Sequence, residues 1–290
     1  MHKTLVDPST LAAHVNDPSW VVIDCRFDLA VPEKGEQAYA EGHIPGARYA
    51  HLDRHLSAAK TGTNGRHPLP TPEAICLSFS ALGIAPGTQV VAYDADSSMF
   101  AVRLWWMLRW MGHDAVAVLD GGLARWQAEG HAVSAAAPAW VPASFAGSPR
   151  PGWRLTVGDV EAIVQPPSAS SASSAAVLVD ARSNERYRGI GETLDKVGGH
   201  IPGARNYFFQ QNLADNTQFK SPDELRAQWN AVLKGRDPKD VVMYCGSGVT
   251  ACHNLLSMEV AGLSGARIFP GSWSEWSADP TRPQATESEA

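Results

Sequence analysis

The most constraining feature of this sequence is a repeat spaced by about half of its length. The seven residues Gly-His-Ile-Pro-Gly-Ala-Arg at 42–48 recur without change at 199–205. Three further matches keep the same order; they pair 21–26 with 177–182, 90–94 with 241–245, and 119–122 with 269–272. A repeating unit of this size is a whole domain rather than the short repeat of a solenoid. The sequence therefore predicts a duplicated domain in a chain of 290 residues.

Each half of the chain alternates short apolar runs with stretches of helical pattern. The apolar runs have the length and β-branched content of buried parallel strands and lie at 21–24, 90–93, 116–119, 177–180, 241–244 and 266–269. The helical stretches lie at 72–82, 99–111, 222–233 and 250–261. This alternation predicts the α/β class, with two tandem domains that each contain a mainly parallel sheet flanked by helices. In such sheets, ligands bind beyond the carboxyl ends of the strands.

The repeat and the local composition together predict the domain boundaries. Residues 1–137 form the N-terminal domain, and residues 153–290 form the C-terminal domain. Between them, residues 138–152 are rich in Pro, Ala and Gly and are interpreted as a linker. A Ser- and Ala-rich run at 166–174 precedes the first strand of the second domain and is interpreted as a flexible surface insertion.

Composition and charge narrow the class of protein. The net charge of −6 and the pI of about 5.9 argue against a general affinity for nucleic acid or for anionic membranes. The N-terminus has no long apolar segment of a secretory signal, and no apolar run approaches the roughly 18 residues of a membrane span. Four cysteines in a chain of this length do not form a disulfide framework. We therefore expect a protein of the reducing cytoplasm.

The most informative cysteine is Cys245, which follows the predicted strand 241–244. A short loop with Gly246 and Gly248 comes next, and a predicted helix follows the loop. Successive backbone N–H groups in such a loop can point inward and form a nest for an anion, and the start of the helix adds partial positive charge. A cysteine in this position favours the thiolate form, which is a nucleophile. The segment therefore predicts a nucleophilic cysteine in an anion-binding loop.

The loop Cys-Gly-Ser-Gly-Val-Thr-Ala at 245–251 resembles the active-site loop of 3-mercaptopyruvate sulfurtransferases, and the tandem halves resemble the rhodanese superfamily across essentially the whole chain. The resemblance implies that the thiolate of Cys245 takes a sulfur atom from a donor, forms a persulfide and releases pyruvate or sulfite. Cyanide, a small thiol or thioredoxin would then accept the outer sulfur, with no metal or organic cofactor. The N-terminal domain would be catalytically silent, because Asp94 occupies the position of Cys245.

The resemblance also implies roles for the remaining residues of the loop. The backbone amides of the loop would hold the charge of the persulfide, and two of its hydroxyl groups would donate further hydrogen bonds. These loop residues are Gly246, Ser247, Gly248, Val249, Thr250 and Ala251. Relatives of the mercaptopyruvate type have a proposed relay of serine, histidine and acid, and Ser247 and His43 match its first two members. Asp28 and Glu33 are both candidates for the acid.

Arginines are expected to bind the donor. Arg186 occupies the position at which family members bind the carboxylate or sulfonate of the donor, a task that suits a bidentate guanidinium. Mercaptopyruvate-type relatives usually carry a second arginine some nine residues later, where this chain reads Leu-Asp-Lys-Val at 194–197. Either Lys196 substitutes for that arginine or the second clamp is missing. Arg66 lies in a loop of the first domain, and both a donor contact and a plain surface position remain open for it.

Alternative functions remain for parts of this interpretation. Thiosulfate:cyanide sulfurtransferase is the sister activity, but members tuned to thiosulfate tend to carry bulky basic residues directly after the cysteine, where this chain has Gly246 and Ser247. A persulfide carrier that hands sulfur to a biosynthetic protein is a second alternative. A cysteine phosphatase is excluded, because it needs an arginine at the position of Ala251. Rhodanese domains without the cysteine serve as interaction or sensing units, and the resemblance makes the first domain a candidate for such a role.

Overall fold

The structure is a computed structural model that describes residues 1–165, 176–215 and 217–286. The chain divides into two compact units. Unit 1 comprises Met1–Ala58, Leu69–Arg150 and Leu213–Phe219, and unit 2 comprises Ala59–Pro68, Pro151–Asn212 and Lys220–Ala290. The main division falls at the end of the predicted linker. The assignment of the short segments 59–68 and 213–219 to the other unit was not part of the sequence prediction. The proposed insertion at 166–174 lies outside the described residues.

Unit 1 contains a parallel sheet of five strands. The strands are β1 Leu5–Val6, β2 Trp20–Asp24, β3 Arg48–Tyr49, β4 Gln89–Tyr93 and β5 Val116–Leu119, in the spatial order β1-β5-β4-β2-β3. All four pairings are parallel. Strands β4 and β5 are buried along their whole length, because helices cover both faces of a sheet built from parallel strands.

Some of the helices of unit 1 begin at a residue whose side chain accepts a hydrogen bond from an N–H group of the first turn. They are α1 Pro8–His14, α2 Lys34–Glu41, α3 Leu52–His55, α4 Pro72–Ala81, α5 Ala101–Trp110 and α6 Gly122–Ala128. Asp7 and Thr71 cap α1 and α4, each followed by a proline in the first turn. Helix α5 is buried on nearly every side and supplies Trp105 and Trp106 to the interior.

Unit 2 repeats this architecture with one strand fewer. Strands β6 Val177–Asp180 and β7 Arg205–Asn206 are followed by the antiparallel hairpin β8 Leu213–Ala214 and β9 Gln218–Phe219, which belongs to unit 1, and then by β10 Val241–Tyr244 and β11 Arg267–Ile268. The parallel sheet of unit 2 has the order β11-β10-β6-β7. Its helices are α7 Val157–Val164, α8 Asn184–Tyr187, α9 Pro222–Leu233, α10 Ala251–Val260 and α11 Ser272–Trp276, with 3-10 turns at Phe209–Asn212 and Pro238–Asp240.

The predicted fold class is confirmed in both units, and the principal elements lie where the periodicity placed them. Strands β5, β6 and β10 and helix α9 have the predicted bounds, whereas β11 spans only Arg267–Ile268 of the predicted 266–269. The two-residue edge strands are too short to leave a periodic signal. Among the described residues, no helix has the length and apolar character needed to cross a membrane.

A buried ion pair fixes the first long strand of each unit to the repeated motif. In unit 2, the guanidinium of Arg182 donates to Asp180 and also to the carbonyl oxygen of Gly199, each at 2.6 Å through Nη2. Burial lowers the pKa of Arg182, but the interaction with Asp180 outweighs it, so the pKa lies above its ordinary value. The same arrangement recurs in unit 1 with Asp24, Arg26 and Gly42. Both pairs therefore belong to the framework of their units.

The histidine of the repeated motif has the same surroundings in both units. His43 in unit 1 is buried, and its Nδ1 lies 2.8 Å from the carbonyl oxygen of Tyr39, whose ring stacks on it. His200 in unit 2 is also buried and makes the matching contacts with Tyr187. Because unit 1 has Asp94 where unit 2 has Cys245, an arrangement common to both units indicates a role in holding the turn.

Candidate functional site

Cys245 lies directly after β10, at the carboxyl end of the sheet in unit 2. Its side chain is buried, and its Sγ accepts a hydrogen bond from the backbone N–H of Gly248 at 3.1 Å. Its own backbone N–H donates to the hydroxyl of Ser272 at 3.1 Å. The sulfur is therefore held inside the turn that joins β10 to α10.

Gly248 is required at its position for two reasons. Its φ of +77° is strained for residues with a side chain, and a Cβ added there would lie 2.1 Å from the carbonyl oxygen of Pro270. The loop therefore packs directly against the segment that follows β11. Hydrogen bonds reinforce this packing, because the N–H groups of Trp273 and Ser274 donate to the carbonyl oxygens of Cys245 and Gly246.

Ser272 has an unusual backbone conformation next to the cysteine. Its φ is +55°, a region that costs a non-glycine residue about 1–2 kcal/mol. Its hydroxyl accepts from the N–H of Cys245 and donates to the carbonyl oxygen of Phe269 at 3.0 Å. The matching residue of unit 1 is Gly122, at φ +57°. The serine thus keeps a strained backbone while its side chain fixes the position of Cys245.

The corresponding turn of unit 1 holds a carboxylate. Asp94 follows β4 and accepts hydrogen bonds from the N–H groups of Ser98 at 2.9 Å, Phe100 at 2.7 Å and Ala101 at 3.1 Å. Burial raises the pKa of Asp94 to about 6, although the three N–H groups act to lower it. The turn after this central strand is therefore a nest for a negative charge, and unit 1 fills it with its own side chain.

Two guanidinium groups flank the residue after the cysteine. A Cβ added to Gly246 would lie 2.7 Å from Nη2 of Arg66 and 3.3 Å from Nη2 of Arg186. Arg66 belongs to the segment 59–68, which is part of unit 2. Its backbone N–H donates to the hydroxyl of Ser274 at 3.0 Å, which fixes this loop beside α11. The structure therefore brings Arg66 and Arg186 together next to the Cys245 loop.

Two carboxylates occupy the other sides of these arginines. Glu192 accepts from Nε and Nη2 of Arg186, each at 3.0 Å. Burial opposes the ionisation of Glu192, but hydrogen bonds from Arg186 and from the N–H of Leu194 hold its pKa below the ordinary value. Asp195 accepts from both arginines, from Nη1 of Arg66 and from Nη2 of Arg186 at 3.3 Å. The side chains of Glu192 and Asp195 are each only 4% exposed.

The hydroxyl of Ser247 is paired with a histidine that the sequence analysis did not assign. His67 Nδ1 lies 2.7 Å from Ser247 Oγ, and both residues are buried in unit 2. The expected partner, His43, has its Nδ1 on Tyr39 within unit 1, and Asp28 binds the N–H groups of Ala30 and Val31. The partner of Ser247 is therefore His67 and not the expected His43.

Lys196, the expected substitute for a second arginine, is exposed. The residue nine positions after Arg186 is Asp195, so a carboxylate reaches the arginines at this point of the chain. Two signals in the sequence pointed to the missed residues. His67 directly follows Arg66, and Asp195 stands at the spacing where an arginine was expected.

The remaining loop residues lead into the helix. Val249 and Thr250 accept the first backbone hydrogen bonds of the turn from Cys252 and His253, and Ala251 begins α10. The four cysteines are free thiols. Burial raises the pKa of the Cys25 thiol well above its ordinary value, which keeps that sulfur protonated. Within the described residues, no group of three or more His, Cys, Asp or Glu side chains is placed to hold a metal ion.

Comparison with known proteins places both halves of the chain in one family. The model of the rhodanese-like domain matches residues 7–129 and again residues 168–279. A protein of Pseudomonas aeruginosa named "Probable 3-mercaptopyruvate sulfurtransferase" is 43% identical over 284 residues, which cover 97% of this chain and 98% of the relative. The thiosulfate sulfurtransferase of Bos taurus is 33% identical over 285 residues, covering 95% of this chain and 92% of that protein.

Solved structures agree with the sequence relatives. The 3-mercaptopyruvate sulfurtransferase from Leishmania major superimposes with a TM-score of 0.81 at 31% sequence identity. The match covers 95% of this chain and 74% of the Leishmania chain. The tandem α/β architecture is therefore shared along nearly the whole sequence.

We predict that Gly248→Ala destabilises the protein by about 2 kcal/mol more than Gly203→Ala. The two glycines have nearly the same φ, +77° and +79°, but an added Cβ meets the carbonyl of Pro270 only at Gly248, whereas nothing lies within 4 Å at Gly203. Both variants share the cost of the left-handed backbone, so their difference isolates the contact. Denaturant unfolding of the full chain measures it, and equal losses of unfolding free energy would contradict the packing described for the loop.

Proposed function

This chain belongs to the rhodanese family and is a sulfurtransferase, and on that premise we propose that Cys245 accepts a sulfur atom from a small anionic donor and carries it as a persulfide. One observation carries the proposal: the sulfur of Cys245 accepts an N–H bond in the turn that corresponds to the turn of Asp94, and two guanidinium groups lie beside the next residue, Gly246. The turn supports a negative charge on sulfur, and the guanidinium groups of Arg66 and Arg186 bind an anionic donor.

The proposed donor is 3-mercaptopyruvate. The thiolate of Cys245 attacks the donor sulfur, and the carbon–sulfur bond breaks with its electron pair passing to the enolate of pyruvate. The enolate takes up one proton and leaves as pyruvate, and Cys245 retains the sulfur as a persulfide. A thiophilic acceptor such as cyanide, a thiol or thioredoxin then attacks the outer sulfur and restores the thiolate. The amides of the loop, Gly246 through Ala251, stabilise the charge in both halves of the cycle.

Ser247 and His67 are proposed to supply the proton that pyruvate needs. The hydroxyl of Ser247 directly follows Gly246 in the loop, and His67 contacts it at 2.7 Å. An imidazole exchanges protons near neutral pH and can pass one through the hydroxyl to the departing enolate. Sulfite, the product from thiosulfate, leaves with the electron pair and needs no such proton. The pair therefore favours the mercapto acid as donor.

Gly246 supports the same choice of donor. The position has no side chain, and the space beside it is occupied by the ends of Arg66 and Arg186. A bulky basic residue there, of the kind expected for a thiosulfate enzyme, would have to displace Arg66. Relatives of this chain are named for both donors, so kinetic measurements with each donor are needed to distinguish them. The alternative functions are thiosulfate:cyanide sulfur transfer and delivery of persulfide to a biosynthetic protein. The proposed location is the cytoplasm.

Treatment with 3-mercaptopyruvate is expected to add the mass of one sulfur atom to the intact protein, and cyanide is expected to remove it. Cys245→Ser should gain no sulfur and should lose at least about 1000-fold in kcat. Cys252→Ser is the matched control, because Cys252 is another buried thiol of the same strand–loop–helix segment and its Sγ donates to the carbonyl oxygen of Gly248. A gain of sulfur by Cys245→Ser would end the proposal. The proposal would also fail if only Cys252→Ser lost the ability to gain sulfur.

Steady-state kinetics with two donors test the proton pathway and the donor preference together. We expect kcat/KM to be higher for 3-mercaptopyruvate than for thiosulfate in the wild-type protein. Ser247→Ala and His67→Gln should each lower kcat/KM for 3-mercaptopyruvate by about 100-fold, because a general acid contributes this much to a proton transfer. Thiosulfate serves as the internal control and should change by less than about threefold, since sulfite needs no proton. Equal losses with both donors would show that the pair only maintains the structure.

A further inference from the structure

The arginines beside Cys245 are not free to present two full positive charges. Asp195 accepts from Arg66 and from Arg186, and Glu192 accepts from Arg186 through two nitrogens. Two guanidinium groups and two carboxylates give this cluster a formal net charge of zero. Because the side chains of Asp195 and Glu192 are each only 4% exposed, water screens their charges weakly.

The two carboxylates differ in what else holds them. Glu192 accepts the N–H groups of Leu194 and Asp195, and its Oε2 also lies 3.6 Å from Nη1 of Arg182. It therefore fixes the local backbone and belongs to the framework of the loop. Both carboxylate oxygens of Asp195 are instead directed at the two arginines that flank Gly246. Asp195 is thus the group whose charge acts on whatever these arginines bind.

We propose that Asp195 is a specificity-determining residue that selects donors by charge, an inference that rests on the proposed function because it assumes that the donor binds beside Cys245. A carboxylate between the two arginines removes one unit of positive charge from the binding site. A donor with a single carboxylate, such as 3-mercaptopyruvate, brings only one negative charge to this neutral cluster. Thiosulfate brings two negative charges into the same space and is repelled by the carboxylate of Asp195.

Asp195→Asn tests the proposal, because it removes the charge and keeps nearly the same shape. We expect the ratio of kcat/KM for thiosulfate to kcat/KM for 3-mercaptopyruvate to rise about tenfold or more. Asp195→Glu retains the charge, so the ratio should rise by less than about threefold. Glu185→Gln is the control for net charge, since Glu185 is an exposed residue of α8 next to Arg186 in the sequence.

The ratio keeps the test valid even if Asp195→Asn folds poorly. Both donors are measured on one preparation, so a loss of folded protein lowers both kcat/KM values equally and leaves their ratio unchanged. An unchanged or lower ratio in Asp195→Asn would overturn the inference, and so would an equal rise in Glu185→Gln. Transfer of sulfur to Cys245 in the wild-type protein distinguishes the two levels of the account. If wild-type protein is loaded with sulfur and the ratio does not rise, only the role of Asp195 fails; if no donor loads Cys245, the proposed function fails.

Discussion

In both units, the turn between a central parallel strand and the next helix directs backbone N–H groups at the side chain that follows the strand, and the rest of the site depends on this constraint. Unit 1 meets it with Asp94, whose carboxylate accepts three N–H bonds. Unit 2 places Cys245 at the same point and directs the N–H of Gly248 at its sulfur. The duplication therefore offers an internal comparison, in which the turn of unit 1 holds a carboxylate and the turn of unit 2 holds a sulfur atom.

The cost of this arrangement lies in the residues that support the turn. Gly248 has no room for a side chain against Pro270, and Ser272 keeps a left-handed backbone while its hydroxyl binds the N–H of Cys245. Strain of this kind persists where the surrounding structure fixes the conformation, and it is common at sites that position reactive groups. The same segment also anchors Arg66 through Ser274, so one stretch of chain positions both Cys245 and Arg66.

The sequence was sufficient for the framework of the fold and for the position of Cys245 directly after β10. Strand β10, the loop of Cys245 and helix α10 follow from a change in hydrophobic period around a glycine-containing loop, which is local information. His67 and Asp195 could not be assigned in this way, because their contacts join residues separated by more than a hundred positions, as in the pairs of His67 with Ser247 and of Asp195 with Arg66. The segment 59–68 also belongs to the unit opposite to its sequence half. The repeated histidine misled for the opposite reason, because His43 is part of a motif whose role is structural in both copies.

A crystal structure of the protein after treatment with 3-mercaptopyruvate, with sulfur atoms located by anomalous scattering, tests the central claim most directly. The account predicts one additional sulfur bonded to Sγ of Cys245, with this outer sulfur within hydrogen-bonding distance of backbone N–H groups in the loop 246–251. An additional sulfur on Cys252 or Cys76, or an outer sulfur on Cys245 directed away from the loop amides, would contradict it.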